Sequence, residues 1–244
     1  MVTLANAIHL ERWSRGLSVM LEKTLGVMLV LKLRAILLME ADFNSTNKIV
    51  YGDRMMQNVR KYNQMPEESF SKKNRTVDNR TLCKTLFCDI TRQAQVPAAI
   101  ASVDASNCYD RTAHAIASLV FQVFGVPSTA IKTMLGAIEN MKFFLRTGFG
   151  DSTSFAGGGV SVKTQGLTQG NRASPAGWAV ISICIIRAHS KKGHGAKFYC
   201  PITNLKHHLS VILYVDDTNL LHIDLSKDET VDEVHRAIQE SVNS

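Results

Sequence analysis

Tyr214-Val215-Asp216-Asp217 constrains this chain more than any other segment. It lies between one apolar run, Val211-Ile212-Leu213, and a second, Leu220-Leu221. That pattern predicts strand, tight turn, strand, with two carboxylates at the tip. Carboxylates about 4 Å apart repel by roughly 4 kcal/mol at an effective dielectric near 20, so a hairpin that holds them calls for a cation. Oxygen-only donors suit Mg²⁺, which takes one or two carboxylates together with substrate phosphates. An isolated Asp-Asp pair is more often a solvated turn, and segments further upstream decide against that here.

Ala98 to Val103 reads as a short apolar strand that ends in Asp104. The chain continues Ala105-Ser106-Asn107-Cys108-Tyr109-Asp110-Arg111 and enters a helix, with Ala113, Ile116, Ala117, Val120 and Phe124 at helical spacing. Gly125 and Pro127 stop it. If the strand pairs beside the hairpin, Asp104, Asp216 and Asp217 converge, as a two-metal phosphoryl-transfer site requires. A third segment runs Gln165-Gly166-Leu167-Thr168-Gln169-Gly170-Asn171-Arg172-Ala173-Ser174-Pro175. Its glycines would let backbone approach a ligand. Ser174 suits an N-cap and Pro175 a first helical residue, with Trp178, Ile181, Ile185 and Ala188 on the helix that follows.

Order and spacing together resemble the reverse transcriptase domain, specifically that of non-LTR (LINE-type) retrotransposons. The YVDD hairpin resembles the family's catalytic motif. Asp104 with Tyr109-Asp110 resembles its first aspartate motif, D-x4-aromatic-D, and Gly166 to Gly170 with Ser174-Pro175 resembles GLPQG-x3-SP. Lys32 to Leu38, Ala41-Asp42-Phe43-Asn44 and Asn47-Lys48 look like the fingers segment, and Phe70-Ser71-Lys72-Lys73-Asn74-Arg75 like the basic segment after it. The chain departs from the pattern at Thr168, where Pro is usual, at Asn171-Arg172, where small residues are usual, and at Phe70 and Lys72, where Gly and Arg are common. Lys72 keeps a charge but loses the bidentate fork of Arg.

The resemblance implies an α+β right-hand polymerase body: fingers over 1–97 and palm over 98–244, an antiparallel sheet backed by helices, with 128–162 returning to the fingers. No thumb follows the hairpin, so a fragment or truncated copy is expected. The implied activity is RNA-directed DNA synthesis from a primer 3′-hydroxyl. Asp104 and Asp216 would bind two Mg²⁺ ions (Mn²⁺ could substitute), one activating the hydroxyl and one holding the triphosphate, with Asp217 in support. Tyr109 would be the steric gate against a ribose 2′-hydroxyl, and Gln169 and Gly170 would meet the incoming dNTP. Lys72, Lys73 and Arg75 would neutralise its triphosphate, and Lys227 would protonate pyrophosphate. Asp110 would favour the positive end of the next helix. Partners would be an RNA template and a DNA primer. Two other readings stay open: an inactive remnant that binds nucleic acid, and an RNA-dependent RNA polymerase. Tyr109 stands against the second, since those enzymes tend to carry Asp at that place.

A chain of 244 residues with 45% hydrophobic residues can bury a sizeable core. The net charge of +7 points to a polyanionic partner. It is concentrated in Lys72, Lys73, Arg75 and Arg80, and in Lys191, Lys192, His194 and Lys197. Cys83, Cys88, Cys108, Cys184 and Cys200 show neither a disulfide framework nor zinc spacing, and Cys200 with His207 and His208 is expected on a hairpin. Glu22, Lys23, Lys32 and Arg34 break the apolar stretch from Leu17 to Met39, which argues against a membrane span. An intracellular protein with reduced thiols is expected.

Periodicity predicts a short helix at Leu17–Thr24, strands at Val27–Leu31 and Arg34–Met39, and helices at Ser45–Tyr62 and Thr76–Ala94. A helix after Ser128, a strand at Met141–Arg146 and a last helix at Thr230–Val242, with Val231, Val234 and Ile238 on one face, complete the expectation.

Overall fold

A computed structural model describes the chain except residues 1, 28, 71–73, 159–162, 201, 226–228 and 244. From the amino terminus run α1 (Val2–Ala5), β1 (Arg15–Glu22), β2 (Leu33–Met39), α2 (Ala41–Asn47), α3 (Met56–Lys61) and α4 (Val77–Ala94). Then come β3 (Ala99–Asp104), α5 (Cys108–Arg111), α6 (His114–Val123), α7 (Ser128–Glu139), β4 (Lys142–Thr147), β5 (Gly150–Asp151) and β6 (Ala156–Gly157). Finally α8 (Ser174–Lys191) leads to β7 (Ala196–Tyr199), β8 (Lys206–Leu209), β9 (Val211–Tyr214), β10 (Asp217–Asp224) and α9 (Val231–Val242). The class is α+β, as expected. Two compact units share the chain: Met1–Tyr62 with Asn107–Val180, and Asn63–Ser106 with Ile181–Ser244.

In the first unit the sheet order is β2-β1-β4-β5, with β6 also on β4. The helix expected at Leu17–Thr24 is instead strand β1, antiparallel to β2 and parallel to β4. A run this short carries no decisive period, and pairing on both edges decided it. The β1–β2 register ends at Glu22↔Leu33. The strand expected at Val27–Leu31 therefore falls in the connecting loop, where Leu25, Leu29 and Val30 are exposed and Val30–Lys32 forms one 3-10 turn. The helix expected at Ser45–Tyr62 starts earlier, at Ala41, and passes through a π-helical stretch, Lys48–Met55, into α3. Phe43, Tyr51, Met55 and Val59 are its buried stripe. Phe43 stacks on Trp13 at 5.2 Å, and Tyr51 meets Phe121 at 5.1 Å. Each such side chain contributes about 2 kcal/mol by leaving water. The Tyr51 hydroxyl donates to the Ala130 carbonyl at 3.2 Å, and burial pushes its pKa up.

In the second unit the order is β3-β10-β7-β8, with β9 also on β10. Side chains alternate across this sheet. Ile212, Leu221 and Ile223 join Phe70 and Phe87 of α4 on one face. Val211, Leu213 and Leu220 join Ile186 of α8 and Ile238 of α9 on the other. Capping boxes open α4 (Thr76 with Asn79) and α9 (Thr230 with Glu233). Val231 does not share the buried face of Val234 and Ile238; it is 71% exposed in the first turn. On α8, Ile185 and Ala188 face outward, while Val180, Ile183 and Ile186 are buried.

Candidate functional site

The second unit holds the three aspartates. β9 and β10 pair antiparallel with Tyr214 opposite Asp217, so Val215 and Asp216 are the whole loop. Val215 has φ of 55°. Positive φ at the first loop residue alone is the sign pattern of a type II′ turn. A β-branched residue there is an outlier that costs roughly 1–3 kcal/mol and persists only where its surroundings impose it. Across the sheet, Asp104 lies directly opposite Asp217 in the β3–β10 register. The Ala105 amide donates to the Asp216 carbonyl at 3.3 Å. The hairpin therefore pairs beside the strand, as expected from sequence, and the backbones of all three aspartates meet at one end of the sheet. Among the described residues, however, no group of three or more His, Cys, Asp or Glu side chains is arranged to hold a metal ion.

Asp217 is drawn elsewhere. Arg80 Nη1 of α4 lies 2.8 Å from its Oδ2. One turn on, Lys84 Nζ donates to Asn219 Oδ1 at 3.0 Å, and Ser102 Oγ donates to the same oxygen at 2.9 Å. Phe87 then enters the core with Leu221. Four residues of helix rise about 6 Å and two of strand about 6.6 Å, so a helical stripe and one strand face stay in step. In the sequence Arg80 stands only as part of a basic cluster. Its i, i+4, i+7 spacing to Lys84 and Phe87, set against Asp217, Asn219 and Leu221, is the signal that could have found it. Arg75 is engaged as well: it bridges Glu67 at 2.8 Å and lies 5.4 Å over the Phe70 ring. Lys72, Lys73 and Lys227 lie outside the described residues.

The first unit holds the glycine loop. Gly166 (φ +76°) would place a Cβ 2.4 Å from the Asp110 carbonyl oxygen, and Gly170 (φ +107°) would place one 2.2 Å from that of Leu37. The close approach expected towards a ligand is thus to the chain's own backbone. The Gln169 amide donates to Asp110 Oδ1 at 3.1 Å, and its carbonyl accepts from the Leu37 amide at 2.7 Å. Asp110 was expected to serve a helix terminus; it anchors this loop instead, and burial raises its pKa against the pull of the Gln169 amide. Asn44 clamps the far side, donating to the Gly170 carbonyl at 3.0 Å and accepting the Arg172 amide at 2.7 Å. Asn47 donates to Asn171 Oδ1 at 3.1 Å. His114 joins the Gly166 carbonyl (2.7 Å) to Glu139 (3.0 Å), and that bond, with Lys163, keeps the Glu139 carboxyl below its usual range. Ser174 does not cap α8 with its side chain: its hydroxyl donates back to the Leu167 and Thr168 carbonyls at 2.7 and 2.8 Å. The Tyr109 carbonyl accepts the Leu167 amide at 2.7 Å, which fixes Tyr109 beside the loop.

Sequence comparison decides the family. A model of the reverse transcriptase (RNA-dependent DNA polymerase) family matches residues 26–244. The chain belongs to that family. No curated protein matches this reverse transcriptase domain. Its fold is similar to that of apo telomerase from Candida tropicalis, with TM-score 0.55 and 13% identity over 96% of this chain and 41% of that one. The Candida tropicalis telomerase truncated from its C-terminal domain gives 0.53 and 14% over 97% and 48%. Candida albicans telomerase, in complex with a fragment of telomeric RNA, gives 0.54 and 9% over 94% and 40%. The domain thus spans less than half the length of these structural relatives.

As a donor set for a divalent cation the reverse transcriptase hairpin is chemically apt. Asp104, Asp216 and Asp217 offer oxygen only. Asp104 and Asp217 are exposed and Asp216 is half-buried. Arg80 already pairs with Asp217, whose carboxylate is therefore part of an ion pair. No helix among the described residues is long and apolar enough to cross a membrane.

Proposed function

We propose that this domain is an RNA-directed DNA polymerase, of the non-LTR retrotransposon type, that adds dNTPs to a primer 3′-hydroxyl on an RNA template. The observation that carries the reading is the β3–β10 register, which sets Asp104 directly opposite Asp217 and beside the Asp216 loop. Asp104 and Asp216 would hold Mg²⁺, or Mn²⁺ in its place. Bound there, divalent cations would supply charge neutralisation at the reacting hydroxyl and phosphates. Arg80 holds the Asp217 carboxylate, which would support the metal site from beside Asp104 and Asp216. Tyr109, held by Leu167, gates against a ribose 2′-hydroxyl. The loop that Asp110, Asn44 and Leu37 brace presents Gln169 and Gly170 to the nucleotide. Lys72, Lys73 and Arg75 meet the triphosphate, and Lys227 supplies the proton to pyrophosphate. Fingers (1–97, with 128–162 returning) and palm (98–244) are functional names in this reading and do not coincide with the compact units. An intracellular setting with reduced thiols belongs to the same reading.

The test is Mg²⁺-dependent dTTP incorporation on poly(rA)·oligo(dT), with Asp216→Asn and rUTP as controls. The expected result is incorporation that disappears in Asp216→Asn and is absent with rUTP. Incorporation no greater than that of Asp216→Asn would overturn the reading. Tyr109→Val should admit rUTP, and unchanged rejection of rUTP would remove Tyr109 from the gate.

A further inference from the structure

A concave surface with two lysines lies at the other end of β10. Asp217 begins that strand and Asp224 ends it, which separates the two ends by roughly 23 Å at strand rise. Beside Asp224 runs β7, paired with β8 in the register Lys197↔His208 and Tyr199↔Lys206. Alternation puts these four side chains on one face of the hairpin. They line a groove of about 830 Å³ together with Ser190, Gly193 and Asp224. Lys197, Tyr199, Lys206 and His208 are all exposed.

Lys197 and His208 stand opposite one another on the hairpin. Among the described lining residues the one carboxylate is Asp224. Its side chain is only 4% exposed and already faces Lys197 Nζ at 3.6 Å. Lys191 and Lys192 follow Ser190 at the end of α8 and are exposed. The His208 ring donates Nε2–H to the His194 carbonyl at 2.9 Å, which fixes the imidazole at the groove wall. Tyr199 is 42% exposed, and its hydroxyl donates to Asn204, so the ring is held in one orientation. A concave cationic strip with an oriented, exposed ring matches how proteins hold single-stranded nucleic acid: cations follow the phosphates and an aromatic face takes a base. A flat anionic lipid surface has no use for the groove or the ring.

We infer that the β7–β8 hairpin binds a single-stranded nucleic acid segment, with Tyr199 stacking on a base and Lys206 and Lys197 holding phosphates. This binding stands apart from the carboxylate hairpin and does not depend on polymerisation.

The experiment is photo-cross-linking of the full chain with oligo(rU) carrying 5-iodouridine, and with the deoxy equivalent, mapped by mass spectrometry and paired with fluorescence anisotropy. The expected cross-link is to Tyr199. Tyr199→Phe should keep it. Tyr199→Ala should abolish it and weaken binding about ten-fold, in keeping with 1–3 kcal/mol per stacked base. Lys206→Gln should flatten the dependence of log K on log salt by about 0.7, one phosphate contact on a single strand. Asp216→Asn should keep the cross-link, which separates this surface from the polymerase reading. A Tyr199 cross-link with either sugar supports the inference, and the stronger of the two names the strand. Cross-links confined to other peptides, equal loss in Tyr199→Phe and Tyr199→Ala, or an unchanged salt slope in Lys206→Gln would overturn it. So would binding to phosphatidylserine vesicles, lost in the same variants, without any oligonucleotide cross-link. Circular dichroism on each variant confirms that the fold is kept.

Discussion

Arg80 of α4 lies 2.8 Å from Asp217, the second aspartate of the hairpin. The guanidinium is largely covered, with 16% of its side chain exposed, and its Nε has no hydrogen-bond partner. A fixed cation beside a carboxylate hairpin opposes any metal that binds there. Arg80→Ala should therefore lower the Mg²⁺ concentration at half-maximal incorporation about five-fold, the scale of one unit charge acting on a dication some 8 Å away in water. Arg80→Lys should behave like the parent. A Mg²⁺ titration of the three proteins decides, and an unchanged midpoint in Arg80→Ala would show that the pair leaves the metals alone.

His189 makes folding sensitive to acid. It is 8% exposed, and its Nε2 bonds the Ser241 hydroxyl of α9 at 2.6 Å. Burial, then His194, His208 and Lys192, push its pKa down from 6.5 to about 4. Between those values the unfolded chain takes up a proton that the folded chain refuses, so stability is intact above about pH 6.5 and falls as pH drops towards 4. The loss should reach on the order of 3 kcal/mol. Urea unfolding at pH 7.0 and 4.5 measures it. In His189→Gln the difference should shrink by that amount, and an equal difference in both proteins would refute the assignment.

Val215 holds the positive-φ first position of a type II′ turn, which suits Gly far better than Val. Val215→Gly should stabilise the hairpin by about 1 kcal/mol, which raises Tm by roughly 2–4 °C in a chain of this size. Differential scanning calorimetry reads this directly. A lowered Tm would mean that packing of the Val215 side chain outweighs the strain.

Gly166 and Gly170 have no room for a methyl group. Gly166→Ala and Gly170→Ala should each destabilise by about 2 kcal/mol or more, because positive φ and a backbone clash add together. Gly148→Ala meets nothing within 4 Å and serves as the control. Chemical denaturation of the three variants separates the outcomes, and equal stabilities would show that the loop can shift.

Thr168 shows how a departure from a family pattern becomes structural. Its φ is 64°, a value closed to proline, and its buried hydroxyl has no hydrogen-bond partner. The loop therefore follows a different path at this residue from the one a proline would impose. The motif alone could not reveal that, because φ is set by the bonds from Leu37, Asp110 and Ser174 on either side.

Local signals account for part of this fold. The strand-turn-strand at Tyr214 to Asp217, the strand ending in Asp104, and the helix starts at Thr76 and Thr230 each follow from period, turn chemistry or capping within a few residues. The order of those motifs along the chain was enough to point to the family. Tertiary structure decided what depends on partners distant in sequence. β1 is a strand because β2 and β4 flank it, although Leu17 to Thr24 alone reads as helix. Asp110 braces a loop beginning 56 residues downstream of it, at Gly166, and Asn44 clamps the same loop from the other side. Arg80 reaches Asp217 across 137 positions of chain because a helix stripe and a strand face advance at nearly the same rise. Pairing, burial and charge neutralisation at such separations are properties of the packed chain, and no window of sequence contains them.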